Sequence, residues 1–372
     1  MKDIKTIDSL YHACTYGRAP VVFERGRGAR LWDDKGRDYI DFGSGIGVMS
    51  LGYANPEWVK AVSEQAAVLP HTSNLFYNEK TAMLAGRLAL RTHFERVFLS
   101  NSGAEANECL IKTARKWASD TKGEGEHPFV TLVNSFHGRT LTTVTATGQD
   151  TFHKFFGPFT PGFRYVPASD LAALERQLDA EDCSAVLVEI VQGEGALDAD
   201  YLKAVEALCH EKNVLFCVDE VQTGNGRTGT WFAYEQFGLS PDLVSTAKGL
   251  GNGLPIGATL MGSKTAEVLT PGTHGSTFGG NPVACAGALS VLEQIDDAFL
   301  EAVKQKGAWL TAELEKIPGV KDVSGLGLML GFSVEGCKSA DIKAKALDNG
   351  LVVLTAKDRV RLLLSLIHIS EP

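Results

Sequence analysis

The sequence predicts an α/β protein, with a mostly parallel central sheet covered by helices on both faces and a smaller α+β unit beside it. Three observations carry this reading. Between about residues 56 and 262, short continuous apolar runs alternate with amphipathic helical stretches, which is the pattern of strands buried on both faces. The 372 residues exceed one domain of ~150 residues and suit a large α/β body with a satellite. Beyond residue 292 the pattern changes to a helix and glycine-punctuated strands. The expected division is residues 50–292 for the large unit, with 1–49 and 293–372 forming the smaller one.

Taken in order, residues 20–42 read as a β-ribbon. Val21-Val22-Phe23 and Ala29-Arg-Leu-Trp32 flank Gly26 and Gly28, and Asp34-Lys-Gly36 turns the chain into Tyr39-Ile-Asp-Phe42. Residues 43–53 are glycine-rich and read as loop. Strands follow at 96–100, 129–133, 185–190, 214–218, 243–246 and 257–261, and helices at 104–117, 171–178 and 201–211. Asn281-Pro282 is a helix start, with Asn at the N-cap and Pro at the first helical position. A second helix carries Leu300, Val303, Leu310, Leu314 and Ile317 at helical spacing and stops at Pro318-Gly319. Strands at 328–334, 351–354 and 359–364 complete the small unit.

Composition narrows the function classes. A hydrophobic fraction of 44% with 22% charged residues is that of a folded protein with a large core. A net charge of −9 leaves no basic excess to neutralise phosphates, which disfavours nucleic acid and anionic membranes as main partners. Seven cysteines, widely spaced and without Cys-x-x-Cys, read as buried reduced thiols. Nine histidines show no ligand spacing, so no metal is expected. The charged N-terminus has no apolar signal region, and residues 249–263 are too short and glycine-rich to span a bilayer. The expected setting is cytoplasmic.

Candidate chemistry lies where strands are expected to end, the edge at which open α/β sheets bind ligands. One apolar run ends on Asp219 and another on Lys248, each followed by polar or glycine-rich sequence. Ser100-Asn-Ser102-Gly103-Ala104-Glu-Ala-Asn107 joins a strand to a helix. Its small residues and the helix N-terminus suit an anion such as phosphate, although the loop alone reads equally as an ordinary serine-capped connection. Phe136-His-Gly-Arg139 follows another strand, offering an aromatic face and a guanidinium able to hold a carboxylate. Gly224-Asn-Gly-Arg-Thr-Gly229 matches a dinucleotide fingerprint. It is discounted, because Asp219–Thr223 separates it from the strand, no helix start follows, and no ribose acid lies ~20 residues on. A flexible loop is expected there.

Together these segments resemble a known family. Ser102-Gly-Ala-Glu-Ala-Asn107, Phe136-His-Gly-Arg139, Val218-Asp219-Glu-Val-Gln222-Thr-Gly-Asn-Gly-Arg-Thr-Gly229, Ala247-Lys248-Gly-Leu-Gly-Asn-Gly-Leu-Pro-Ile-Gly-Ala258 and His274-Gly-Ser276-Thr277-Phe-Gly-Gly-Asn-Pro282 stand in family order. From about residue 10 to 363 the chain is similar to class III, fold type I pyridoxal-phosphate aminotransferases. Within them, residues 148–163 and Gly275-Ser276-Thr277 are similar to the acetylornithine branch.

The resemblance implies pyridoxal 5′-phosphate as cofactor, which needs both a lysine and an acid. Lys248 holds it covalently and moves the proton, and Asp219 pairs with its ring nitrogen. Gln222 lies near the ring hydroxyl, Ser102, Gly103 and Ala104 take the phosphate, and Phe136 stacks on the ring. Thr277 reaches the phosphate of a partner subunit's cofactor, which implies a homodimer. Arg139 and Ser276 contact substrate. Glu194 pairs with Arg361 as a gate that admits both an ω-amine donor and 2-oxoglutarate.

The implied activity moves the terminal amino group of N-acetylornithine to 2-oxoglutarate by a ping-pong route in arginine biosynthesis. Ornithine, succinylornithine or 4-aminobutyrate as donor, an aminomutase on the same fold, and a non-catalytic cofactor-binding protein stay open. After Arg361 the chain departs from the family pattern. Residues 364–372, Leu-Ser-Leu-Ile-His-Ile-Ser-Glu-Pro, read as an atypical tail in place of a final helix, and the cut-short small unit is expected to expose apolar surface.

Overall fold

The computed structural model describes residues 3–192 and 195–368. Its centre is a seven-stranded sheet in the order Arg96–Ser100, Gly257–Met261, Leu243–Thr246, Leu215–Asp219, Ala185–Val188, Phe129–Leu132, Phe163–Val166. Four neighbouring pairs are parallel, and Gly257–Met261 runs antiparallel to both its neighbours. The sheet is therefore mostly parallel, as expected, with one reversed strand. Because that strand is reversed, Ser100, Thr246, Asp219, Val188 and Leu132 end on one edge while Gly257 begins there, paired with Ser100.

Burial follows the two-residue period of the strands. Phe129, Ala185, Leu187, Leu215, Cys217 and Leu243 pack with Leu110, Ala114 and Trp117 of the helix Gly103–Lys122. Val130, Val186, Val188, Phe216, Val218 and Val244 face the opposite way, into a core that includes Leu202 and Val205 of the helix Ala199–Glu211. With both faces covered, the strands have no polar side and read as unbroken apolar runs.

Local chemistry sets the helix starts. Ser102 Oγ accepts from Glu105 N at 3.2 Å, and the Glu105 carboxylate reaches back to Asn101 N at 2.5 Å. The helix Pro282–Gln294 begins at the expected place, with Asn281 Oδ1 accepting from Val283 N at 3.0 Å. The helices Pro56–Val68 and Glu79–Thr92 use the same device through Asn55 and Asn78.

Two smaller sheets flank the centre. The ribbon Phe23–Arg27, Arg30–Asp33, Asp38–Asp41 continues into Leu351–Val352, which pairs parallel to its last strand. The other sheet has the order Val320–Leu326, Met329–Val334, Arg359–Leu363, Leu354–Ala356. Along Arg359–Leu363, Val360 and Leu362 point into the core, which turns Arg359 and Arg361 toward the central sheet edge.

One expectation is corrected. Residues 224–229 are a buried turn rather than a flexible loop. Asn225 Nδ2 donates to Thr246 Oγ1 at 2.9 Å and Ala247 O at 3.0 Å. Arg227, fully buried, donates to the carbonyls of Leu364, Leu328 and Gly47. The described part of the tail, 364–368, packs onto the fold. Leu364 and Leu366 are buried, and Leu366 N donates to Ser50 O at 2.8 Å; residues 369–372 lie outside the described residues. Among the described residues no helix is long and apolar enough to cross a membrane, and no acid, histidine and cysteine cluster forms a metal cage.

Candidate active site

A cavity of about 1010 Å³ opens at the edge where the parallel strands end. Ser102, Gly103, Ala104, Phe136, Arg139, Asp219, Gln222, Lys248 and Arg361 all line it, so strand order gathers segments spread over 260 residues of sequence into one place (residues 102 to 361). Ser276 and Thr277 do not line it. Ser276 Oγ accepts from Asn101 Nδ2 at 3.1 Å, just behind the wall, and Thr277 is exposed on the outer surface. Glu194 lies outside the described residues.

Asp219 is the last residue of its strand and 5% exposed. Three groups donate to its carboxylate: Asn107 Nδ2 at 2.7 Å and His137 Nδ1 at 2.8 Å to Oδ2, and Val221 N at 3.0 Å to Oδ1. The second Nδ2 hydrogen of Asn107 goes to His137 O at 2.8 Å, so the three side chains form one rigid unit. Burial alone lowers the affinity of His137 for a proton, but the hydrogen bond and the charge of Asp219 outweigh it, and its pKa is raised. Sequence reasoning placed Asn107 and His137 inside motifs without assigning them this work.

Lys248 follows its strand by two residues, with a left-handed φ of 45°, a conformation a long side chain rarely adopts and one that functional sites often hold. Its pKa is lowered to about 8, first by burial and further by the charges of Arg361 and Arg227, against the opposing pull of Asp219 and Glu189. Such an amine is partly neutral near pH 7–8 and is able to attack a carbonyl. Glu189, one residue beyond Val188, was not singled out from the sequence. It accepts from Phe136 N at 2.8 Å, and burial pushes its carboxyl up to about 7.

The residues fit pyridoxal phosphate. An amine and an oriented carboxylate share the floor. Among the described residues the buried Gln222 Nε2 has no partner, while its Oε1 accepts from Arg361, so the amide NH2 is left for a ring oxygen. The N-terminus of the helix Gly103–Lys122 opens on the cavity and suits the phosphate. The turn there admits only small residues: a Cβ on Gly103 would stand 2.5 Å from Val221 Cγ1, and one on Gly138 would stand 2.9 Å from Ala104 Cβ. Gly138 also has a φ of +143°. Arg361, expected to pair with Glu194, donates to Gln222 Oε1.

Comparison with known proteins agrees with this arrangement. Residues 11–371 match the model of the family described as aminotransferase class-III. The chain is 50% identical to the acetylornithine aminotransferase of Haemophilus ducreyi, over 98% of this chain and 94% of that one. It is 45% identical to the enzyme of the same name from Caldanaerobacter subterraneus subsp. tengcongensis, over 95% and 92%. Among solved structures, the ornithine aminotransferase of Toxoplasma gondii superposes with a TM-score of 0.94 at 35% identity, covering 98% of this chain and 90% of that one. The acetylornithine aminotransferase of Elizabethkingia anophelis gives 0.86 at 32%, covering 98% and 93%. With the family model matched over residues 11–371, and with an amine, an acid and a helix N-terminus at one sheet edge, this chain belongs to the class-III aminotransferases, enzymes that work with pyridoxal phosphate.

Proposed function

We propose that the chain transfers the terminal amino group of N-acetylornithine to 2-oxoglutarate, as a cytoplasmic homodimer of arginine biosynthesis. The observation that carries the substrate is the match, along nearly the whole of both chains, to relatives named acetylornithine aminotransferase. All seven cysteines are unpaired, five of them buried, which supports a reducing compartment.

When bound, pyridoxal phosphate supplies the carbonyl that takes the amino group and a ring that draws electrons from the substrate carbon. Lys248 holds it, and its amine releases and takes a proton near neutral pH because burial keeps the charged form costly. Asp219, fixed by Asn107 and His137, would keep the ring nitrogen protonated. Ser102, Gly103 and Ala104 would hold the phosphate, and Phe136 and Gln222 would hold the ring. Arg139 takes the carboxylate of the donor. Arg361 and Glu194 form the gate that lets one cavity accept two differently charged substrates.

The homodimer is supported by an exposed apolar surface beside Thr277. Leu75, Phe76, Tyr77 and Phe278 are all exposed, and Asn74 Nδ2 ties the two segments together by donating to Ser276 O and Gly279 O at 2.9 Å each. A patch of that kind marks an interface. On this reading Ser276 and Thr277 serve a second copy's cavity, and the chain divides into a large unit of about 50–292 and a small one made of the remainder.

The test is the absorbance of the cofactor-loaded protein titrated with N-acetylornithine, ornithine, succinylornithine or 4-aminobutyrate, with and without 2-oxoglutarate. N-acetylornithine is expected to convert the bound cofactor at the lowest concentration, and 2-oxoglutarate to restore it. A lower requirement for another donor overturns the substrate assignment. Turnover without an acceptor points to an aminomutase.

A further inference from the structure

Arg139 is exposed on the cavity wall, and among the described residues no carboxylate pairs with it. What it touches is aromatic. Its Cζ lies 4.0 Å from the centroid of the Phe152 ring and 5.5 Å from that of Phe136. The two rings meet edge to face, with centroids 5.6 Å apart and planes at 72°. Phe136, Arg139 and Phe152 thus form one stack that lines the cavity.

Phe152 is itself held. It sits in the single turn Asp150–His153, where its N donates to Gln149 O at 3.0 Å. Gln149 Nε2 is tied to Ser135 O at 2.9 Å, and the His153 ring bonds Val144 O at 2.9 Å while packing on Phe159 and Tyr165. The ring is a fixed platform rather than a loose neighbour.

A guanidinium stacked on a ring uses its face, which leaves the N–H edge free for two parallel hydrogen bonds to a carboxylate. A solvated arginine must instead give up rotamer freedom each time it binds. Phe136 alone cannot supply the platform, because Arg139 stands farther from it and its open face is the one expected to cover the cofactor ring.

We propose that Phe152 is a positioning residue that fixes Arg139 for the donor's carboxylate, and so contributes to substrate selection without touching the reacting atoms. The inference rests on the reading of Arg139 as the carboxylate contact.

The test uses the cofactor-loaded protein and two non-reacting probes, N-acetylnorvaline, which is the donor without its terminal amine, and N-acetylnorvalinamide, which also lacks the carboxylate. Dissociation constants are measured by titration calorimetry. Phe152→Ala and Phe152→Leu are expected to weaken N-acetylnorvaline by roughly 3- to 30-fold, the range of a cation–π contact. Phe152→Tyr, which keeps the ring, stays within about twofold of the parent. The amide binds all forms equally. In turnover the loss falls on KM for N-acetylornithine, with kcat nearly unchanged. If Phe152→Leu binds the acid like the parent, or the amide weakens as much as the acid, Phe152 only fills space and the proposal fails. If Arg139→Ala leaves the acid's binding unchanged, or the parent does not prefer the acid, the reading of Arg139 fails instead.

Discussion

The floor and the mouth of the cavity are built from different materials. At the floor, Asp219 is a strand end, 5% exposed, with three N–H donors within 3.0 Å. At the mouth, Arg139 is exposed on a loop and, among the described residues, rests against two phenyl rings. Groups that must stabilise charge in the same way for every substrate are fixed by hydrogen bonds in a water-poor site, where reorganisation costs least. Arg139 is instead held through its face, which leaves its N–H edge open to a carboxylate. The hairpin that carries Lys357 belongs to the mouth as well, with Nζ donating to Asn134 Oδ1 at 2.8 Å.

Substitutions of graded severity test that contrast. The largest loss is expected at Lys248. Lys248→Ala should lower kcat by roughly 10⁴-fold or more and remove the absorbance band of the lysine-bound cofactor, and a variant that keeps the band refutes the assignment. Asp219→Asn should lower kcat by roughly 10²- to 10³-fold with little change in KM, as read from steady-state kinetics on N-acetylornithine. At the mouth the pattern should invert. Arg139→Lys loses the bidentate edge and should raise KM about tenfold with kcat nearly constant. An equal fall in kcat would show that floor and mouth are not separable.

The smallest effect concerns stability. Glu220 lies behind the floor, fully buried, where burial raises its carboxyl to about 7 from a usual 4.5. The folded state therefore binds this proton more tightly than the unfolded one. The stability it contributes is complete below pH 4.5 and is lost as the pH rises through about 7. Glu220→Gln should flatten the decline of Tm between those values in calorimetric scans, while Glu124→Gln, on an exposed segment, should not.

The parts of this site that could be read from sequence share a property: each is signalled within a few residues. Asn281-Pro282 announces a helix, and the strand Leu243–Thr246 is bounded by its own apolar run. Lys248 and Asp219 stand at the ends of such runs. The turn at 224–229 was misjudged because glycine and asparagine look mobile when their partners are out of sight. Its partners are Thr246, Ala247 and the carbonyl of Leu364. Phe152 lies within the segment 148–163, but nothing local to it names the arginine it meets.

By itself, then, the sequence determined the alternation of strands and helices, the helix start at Asn281-Pro282, and the positions of Lys248 and Asp219 at strand ends. Periodicity and capping are decided by the nearest turn of chain, so they survive without the fold. Tertiary structure alone decided the pairings. His137 reaches Asp219 across 82 residues, and Arg361 reaches Gln222 across 139. It also set one reversed strand among parallel ones. Those contacts follow from strand order, which depends on how distant apolar faces are buried together, and no local pattern records that choice.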